Sequence, residues 1–285
     1  MLRIDNVSYR IGSKQILSDI TTTFAPGLLH VIVGPNGSGK STFLKIFSGE
    51  LMPDTGVVFY DDIRVAHGNK ILLARHRAVM SQLPELHFPL SVEDIVLMGR
   101  YPHFNFQPSK KDTAICRQAM ERVEIMSLSG RDYLTLSGGE KQRVQFARAL
   151  AQIWEPTGSL AESLSSDGHS STPASQPADL LPSRFLFLDE PVSSLDIHYQ
   201  HQFLQIARSL VKENIILVAV LHDINLAMQY ADRILFMKEG RIAAEGSSPG
   251  IVTADLIREV FNIPVQLLEN PHGAAPVMVY TGSAR

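Results

Sequence analysis

Apolar and polar residues alternate through Leu2, Ile4, Val7 and Tyr9 and again through Ile16, Ile20 and Phe24, with Gly12-Ser13 between the two stretches. A period of two on either side of a glycine turn predicts an antiparallel pair. The unbroken apolar run Leu28 to Val33 then predicts a buried strand, and Thr42 to Phe47 an amphipathic helix, with a glycine-rich turn between them. Gly56 to Tyr60 and Arg77 to Ser81 read as strands, the second ending at Gln82. From Pro84 to Trp154 the period lengthens: Ser91 stands ahead of Val92-Glu93-Asp94 as a cap, and Ser109 to Ser127 and Gly139 to Ile153 carry helical spacing. Glu155 to Ser183 is rich in Ser, Pro, Ala and Gly with scarcely an apolar period, too little apolar area to offset ordering entropy, which predicts a flexible surface insertion. Core character returns with Arg184 to Leu188, a strand ending in Asp189 and Glu190, then a helix over 197–211, the buried strand Ile215 to Leu221, a helix near 224–231 and strands at Ile234 to Met237 and Arg241 to Glu245. Residues 251–285 suggest a helix and short strands.

Strands alternating with helices indicate an α/β fold with a mainly parallel sheet. The expected plan is one domain, with core segments 1–83 and 184–285, an N-terminal antiparallel β subdomain, an inserted α-helical lobe over 84–154 and the insertion over 155–183. No internal repeat or heptad run interrupts it.

Composition narrows the function. A chain of 285 residues with 45% hydrophobic and 19% charged positions can bury a full core. A net charge of -3 supplies no global basic field and argues against a nucleic-acid partner. The single Cys116 has no partner for an internal disulfide and lies in a helical pattern, which reads as a packed thiol in a chain suited to a reducing cytosol. The N-terminal residues lack the pattern of a secretory signal, and the longest apolar run, Ile215 to Leu221, falls far short of the ~18 to 20 residues that cross a bilayer. Any membrane role is therefore expected to be peripheral.

The chemistry concentrates at Gly34-Pro35-Asn36-Gly37-Ser38-Gly39-Lys40-Ser41-Thr42, between a strand and a helix. Glycines let the backbone curl so that successive N–H groups and the positive end of the helix face one anion. In such a phosphate-binding loop Lys40 reaches the terminal phosphates and Ser41 offers a hydroxyl to magnesium. Asp189 and Glu190 end a buried strand, the edge where open α/β sheets bind ligands. Asp189 suits a magnesium site and Glu190 a base for an attacking water, whereas acids at this place can also cap the next element. His222 follows another buried strand and opens at the same edge, free to meet a phosphate or to be satisfied locally. Ser137-Gly138-Gly139-Glu140 forms a second helix start with bare N–H groups, or a plain capping motif. Tyr9 could face adenine, though a strand tyrosine more often packs.

Together these residues resemble the ATP-binding cassette (ABC) family. Residues 34–42 look like its Walker A loop on a P-loop NTPase core, Leu136 to Glu140 like its signature motif, Phe185 to Glu190 like Walker B, His222 like its switch histidine and Ser194-Leu195-Asp196 like its D-loop. Gln82 falls where the glutamine loop would be, and Tyr9 where the adenine-stacking aromatic would be. The match runs from residue 1 to about 250 and keeps the family's order. It implies ATP and Mg2+ as cofactors, with Gly34 to Thr42, Tyr9, Ser137 to Glu140 and Asp196 contacting nucleotide, Ser41, Gln82 and Asp189 at the metal, and Glu190, His222, Gln82 and Lys40 in catalysis. It further implies a head-to-tail homodimer, in which Ser137 to Glu140 meet the phosphate held by the other subunit's Lys40, coupled near Gln82 to two transmembrane permease subunits and, through them, to a periplasmic substrate-binding protein. The expected place is the cytoplasmic face of a bacterial inner membrane.

Val92 to His103 is similar to the helical-lobe segment of ATPases serving uptake of iron-siderophores, cobalamin and haem, and Leu150 to Pro156 looks most like the haem-importing members. The long 155–183 stretch and Val192, where a threonine is usual, depart from the pattern without touching the chemistry. His87 and His103 invite a haem-ligand reading, but the resemblance routes substrate through membrane partners. The alternatives are a siderophore or cobalamin importer and, from another class, a soluble non-transport ABC ATPase. The single nucleotide domain, the absence of a long coiled-coil insertion and the lack of basic charge weigh against the last.

Overall fold

The computed structural model describes residues 1–66, 70–81, 89–154, 183–271, 273 and 275–282. Its centre is a six-stranded sheet ordered β10-β9-β3-β8-β7-β6. Those strands are β3 (Leu29–Val33), β6 (Arg77–Met80), β7 (Arg184–Asp189), β8 (Ile215–Val220), β9 (Arg233–Lys238) and β10 (Arg241–Ser247). All neighbours run parallel except the hairpin β9 and β10. A second sheet, antiparallel, joins β1 (Leu2–Ile11), β2 (Lys14–Phe24), β4 (Thr55–Tyr60) and β5 (Ile63–Arg64) in the order β2-β1-β4-β5. This is the fold expected of a P-loop NTPase with an N-terminal antiparallel β subdomain.

Strands β7 and β8 carry the unbroken apolar runs Phe185 to Leu188 and Ile215 to Val220 because both of their faces are covered. Alternate residues divide between two cores: Leu186, Leu188, Leu217 and Ala219 face the helical lobe and C-terminal helices, while Phe185, Phe187, Ile216 and Val218 face the antiparallel sheet and helix α1 (Lys40–Phe47). Phe47 meets Phe187 edge-on with centroids 4.9 Å apart, and Tyr60 stacks on Phe185 at 4.3 Å. Burying each such ring contributes roughly 1.5 to 3 kcal/mol. The buried Tyr60 hydroxyl donates to Phe47 O at 2.7 Å, which fixes the end of α1.

The lobe is built from α3 (Val92–Leu97), α4 (Lys110–Arg122) and the central α5 (Gly138–Ile153). Capping boxes start all three, formed by Ser91 with Asp94, Ser109 with Asp112 and Ser137 with Glu140. Gly99 lies so near α5 that a Cβ there would stand 2.2 Å from Arg148 O. Beside it the buried Arg100 donates to Asp112 Oδ1 at 2.9 Å and to Ala151 O at 2.8 Å. The helical spacing over Ser109 to Ser127 breaks earlier than its pattern predicts: α4 stops at Arg122, Glu124 turns left-handed at φ 57° and a 3-10 turn follows over Met126–Leu128. Helix α2 (Lys70–His76), short and without a helix-start signal, was not legible beforehand.

After β7 come α6 (Ile197–Leu210) and α7 (Ile224–Tyr230), and the chain closes with α8 (Ala254–Phe261) and a hairpin of β11 (Val265–Leu268) and β12 (Val277–Tyr280). No helix among the described residues is long and apolar enough to cross a membrane.

Candidate active site

The glycine loop joins β3 to α1. Gly34 leaves the strand so close to β9 that a Cβ would stand 2.3 Å from Met237 O and 2.8 Å from Ser38 Oγ, so only glycine fits. Gly39 caps α1 at φ 97°, a left-handed conformation that side chains disfavour. The first turn of α1 carries no acid, which leaves its positive end open to an anion. Lys40, only 5% exposed, bends its ammonium onto the loop and donates to Gly34 O at 2.8 Å and Pro35 O at 3.0 Å. Burial lowers its pKa, against the pull of the nearby Glu190 and Asp189 carboxylates. Ser38 Oγ is buried with no hydrogen-bond partner among the described residues. A lysine ammonium and a helix start without an acid, brought to one concavity, are what a polyphosphate takes.

The parallel register sets β7 and β8 level, with Asp189 opposite Val220. Leu221 N in turn donates to Ile32 O at 3.1 Å, so the carboxyl ends of β3, β7 and β8 adjoin. Ser41 donates to Asp189 Oδ1 at 3.1 Å. Burial raises the Asp189 pKa, an effect the Ser41 hydrogen bond and Lys45 and Lys40 oppose and Glu190 reinforces. A hydroxyl and a buried carboxylate make an oxygen pair that fits a hard divalent cation such as magnesium. Glu190 adopts φ 52°, rare for a residue with a Cβ. This backbone is held by Glu190 N donating to Val220 O at 3.2 Å and by Ser193 Oγ donating to Glu190 O at 3.1 Å. Its Oε1 stands 2.6 Å from His222 Nε2, and both side chains reach solvent. A cavity of about 390 Å³ brings Asn36, Gly37, Lys40, Ser41, Thr42 and Glu190 to one space.

The hairpin residues Lys14 and Ile16 also line that cavity, and the sequence reading passed them over; an exposed lysine beside a turn carries no signal of its own. Tyr9 does not line it. It stands opposite Leu17 and packs against the core beneath the antiparallel sheet. Ser137, Gly138, Gly139, Glu140 and Asp196 are not among the cavity's lining either. Ser137 Oγ accepts from Glu140 N at 3.3 Å, and Glu140 Oε2 accepts from Ser137 N at 2.8 Å, the second of which lowers the Glu140 pKa. Gly139 approaches the turn before α6, where a Cβ would lie 3.2 Å from Leu195 Cδ2, and Asp196 caps α6 through Tyr199 N at 3.0 Å. Gln82 and His87 lie outside the described residues. His103 Nε2 is hydrogen-bonded to Gln152 O at 2.7 Å. A further link missed from sequence is the buried Gln142, whose amide donates to Pro191 O at 2.7 Å and joins α5 to the turn beyond Glu190. A glutamine on the apolar side of a helix was its only signal.

The ABC transporter family model matches residues 17–154. The chain is 39% identical over 279 residues to the hemin import ATP-binding protein HmuV of Methylobacillus flagellatus, covering 98% of this chain and 95% of that one. It is 35% identical over 280 residues to the protein of the same name from Escherichia coli O157:H7, covering 98% and 99%. Among solved structures, an ABC transporter in an inward-facing conformation superposes with a TM-score of 0.74 at 23% identity over 98% of each chain. The ATP-binding cassette MJ0796 bound to ADP and Pi, a dimer, gives 0.68 at 24% identity over 87% of this chain and 98% of that one. These structures share the fold, and the relatives share the sequence over nearly its whole length. The chain belongs to the ABC transporter family, as one of its ATP-hydrolysing subunits.

Proposed function

We propose that the chain powers a bacterial inner-membrane importer of haem, and that its nucleotide is hydrolysed at the edge where β3, β7 and β8 meet. The observation that carries the catalytic reading is the pair formed by Glu190 and His222, 2.6 Å apart at the ends of adjacent strands and next to the phosphate loop. Lys40 and the N–H groups of residues 34–42 hold the phosphates of ATP. Ser41 and Asp189 would hold magnesium, with Gln82 as a further ligand, and the ion when bound would offset phosphate charge. Glu190 accepts the proton of the attacking water, and His222 keeps the carboxylate aimed at that water. The left-handed backbone at Glu190 supports this role, because strain of this kind collects where a side chain must be presented in one direction.

Ser137 to Glu140 and Asp196 act on the nucleotide of a second copy in a head-to-tail homodimer. Their absence from the chain's own cavity lining, with Ser137 and Gly138 exposed, supports this division. Tyr9 is left to packing, and Lys14 and Ile16 take the nucleoside side. Dimer closure and reopening drive two permease subunits, fed by a periplasmic binding protein, with the chain peripheral to the cytoplasmic face. Haem is favoured by the hemin import proteins at 35% to 39% identity.

The test is reconstitution with the cognate permease in vesicles. Haem, a ferric siderophore and cobalamin are each offered, with wild type and Glu190→Gln compared. ATP-driven accumulation of haem, lost in Glu190→Gln although ATP still binds, is the expected result. Accumulation of cobalamin or siderophore instead would overturn the substrate. Unchanged steady-state turnover in Glu190→Gln would remove it as the base.

A further inference from the structure

The C-terminal hairpin is fastened to the helix that begins beside His222. Antiparallel strands alternate pairs that exchange hydrogen bonds with pairs whose N–H and C=O point outward. Met278, opposite Leu267 on β12, points both groups outward to Asn225 of α7. Asn225 Oδ1 accepts from Met278 N at 2.7 Å, and Asn225 Nδ2 donates to Met278 O at 3.3 Å. A side-chain amide has the donor and acceptor of a peptide unit, so Asn225 closes the strand edge as a neighbouring strand would.

The link meets the active site within a few bonds. Asp223 Oδ1 accepts from Asn225 N at 2.7 Å and from Leu226 N at 3.1 Å, which fixes the turn that presents His222. Among the described residues the ion pair that the His222 side chain makes is with Glu190, and that side chain is 43% exposed. Helix and hairpin do not pack continuously around the link. An open cleft of about 380 Å³ runs between them, lined by Asn225, Met228 and Gln229 on one side and Asn270, Pro276 and Val277 on the other. Val265, Leu267 and Met278 seat the hairpin on the core by apolar packing, and the paired bonds between Asn225 and Met278 add the directional link that orients the α7 start against it.

We infer that Asn225 is a positioning residue for hydrolysis: through Met278 it ties the C-terminal hairpin to the turn that aims His222 at Glu190. The inference rests on the role given to His222 above. It assigns the hairpin a part in turnover that no motif in it announces.

Steady-state ATP hydrolysis by the purified full-length chain tests this in wild type, Asn225→Ala, Asn225→Asp, Met278→Pro, His222→Ala and the Asn225→Ala/His222→Ala double variant. Displacing a reacting geometry by a fraction of an ångström is costly, so Asn225→Ala should lower kcat roughly fivefold to tenfold with KM for ATP within about twofold. Asn225→Asp keeps the acceptor for Met278 N and should recover part of that loss. Met278→Pro deletes the N–H from the other side, on an edge strand that tolerates proline, and should reproduce the kcat loss even if Asn225→Ala does not fold. In the His222→Ala background Asn225→Ala should add no further loss. Wild-type kcat in both Asn225→Ala and Met278→Pro, or a full multiplicative loss on top of His222→Ala, would overturn the inference while leaving the site reading intact. Wild-type kcat in His222→Ala would instead overturn the site reading and the inference with it.

Discussion

Ser41 and Asp189 are joined by a hydrogen bond of 3.1 Å across 148 residues of sequence. One begins the helix after the phosphate loop and the other ends a strand on the far side of β8, so the bond spans the sheet edge where nucleotide chemistry is proposed. Each residue alone is an ordinary cap or strand end. Together they offer two hard oxygens, one charged, in a pocket dry enough to raise the carboxyl pKa.

Asp189→Asn separates the charge from the shape. The amide oxygen still accepts from Ser41, but the anion is gone. We expect the magnesium concentration for half-maximal hydrolysis to rise by about 10- to 100-fold. Because burial raises the Asp189 pKa, the carboxylate disfavours the folded state at pH values above that folded pKa, and this penalty is absent when the group is protonated. The metal-free variant should therefore melt at or above the wild-type temperature at pH 7. A lower melting point with unchanged magnesium dependence would show that Asp189 is structural. Magnesium titrations of turnover and thermal unfolding without metal supply the two measurements.

Much of this site was legible because its parts sit on patterns of short range. The loop at 34–42 declares itself by glycine spacing between an apolar run and an amphipathic one, and Asp189, Glu190 and His222 each end a strand too apolar to be anything but buried. What could not be read depends on register between distant segments. The contact of Glu190 with His222 follows from β7 lying beside β8, and no local pattern states which strands are neighbours. Tyr9 sits on a strand interrupted by irregularities between Ile4 and Val7 and again between Val7 and Tyr9, so counting alternate positions did not say which way its ring would face. Asn225 and Met278 are 53 residues apart, and a side chain bonding to backbone leaves no complementary residue type for the sequence to display.

Cys116 lies on α4 and is 6% exposed, and burial pushes its pKa from 9.0 up to about 12. That shift leaves roughly a thousandfold less thiolate at pH 8, and thiolate is the species that alkylates. Native protein should react with iodoacetamide at that slow rate, and protein in denaturant at the rate of a free thiol. Fast alkylation of the native chain would show that the cleft beside Cys116, bordered by Leu97, Thr113 and Met120, opens to solvent.

Arg100 and Asp112 form an ion pair at 2.9 Å with side chains 2% and 7% exposed, an expensive arrangement for a helical lobe unless each charge keeps its partner. Burial alone would raise the Asp112 pKa, but hydrogen bonds from Ser109 and the Arg100 guanidinium outweigh it and hold the carboxyl below its usual range. A carboxyl depressed in the folded state contributes stability above its unfolded pKa of 3.8, and that contribution disappears as pH falls through the lower folded value. Wild type should therefore lose stability steeply below about pH 4, and Asp112→Asn should lose part of that slope. At pH 7 Asp112→Ala should cost about 3 to 5 kcal/mol, because it strands the Arg100 charge in the interior. Arg100→Met combined with Asp112→Leu should sit nearer wild type than Asp112→Ala, though below wild type, since Ala151 O would lose the donor it now has at 2.8 Å. Denaturant unfolding of the variants at pH 7 and of wild type from pH 7 to 3 checks these statements. A double variant less stable than Asp112→Ala would mean that the pair contributes more than its mutual compensation, through the hydrogen bonds by which Arg100 fastens the 3-10 segment Met98–His103 to the end of α5.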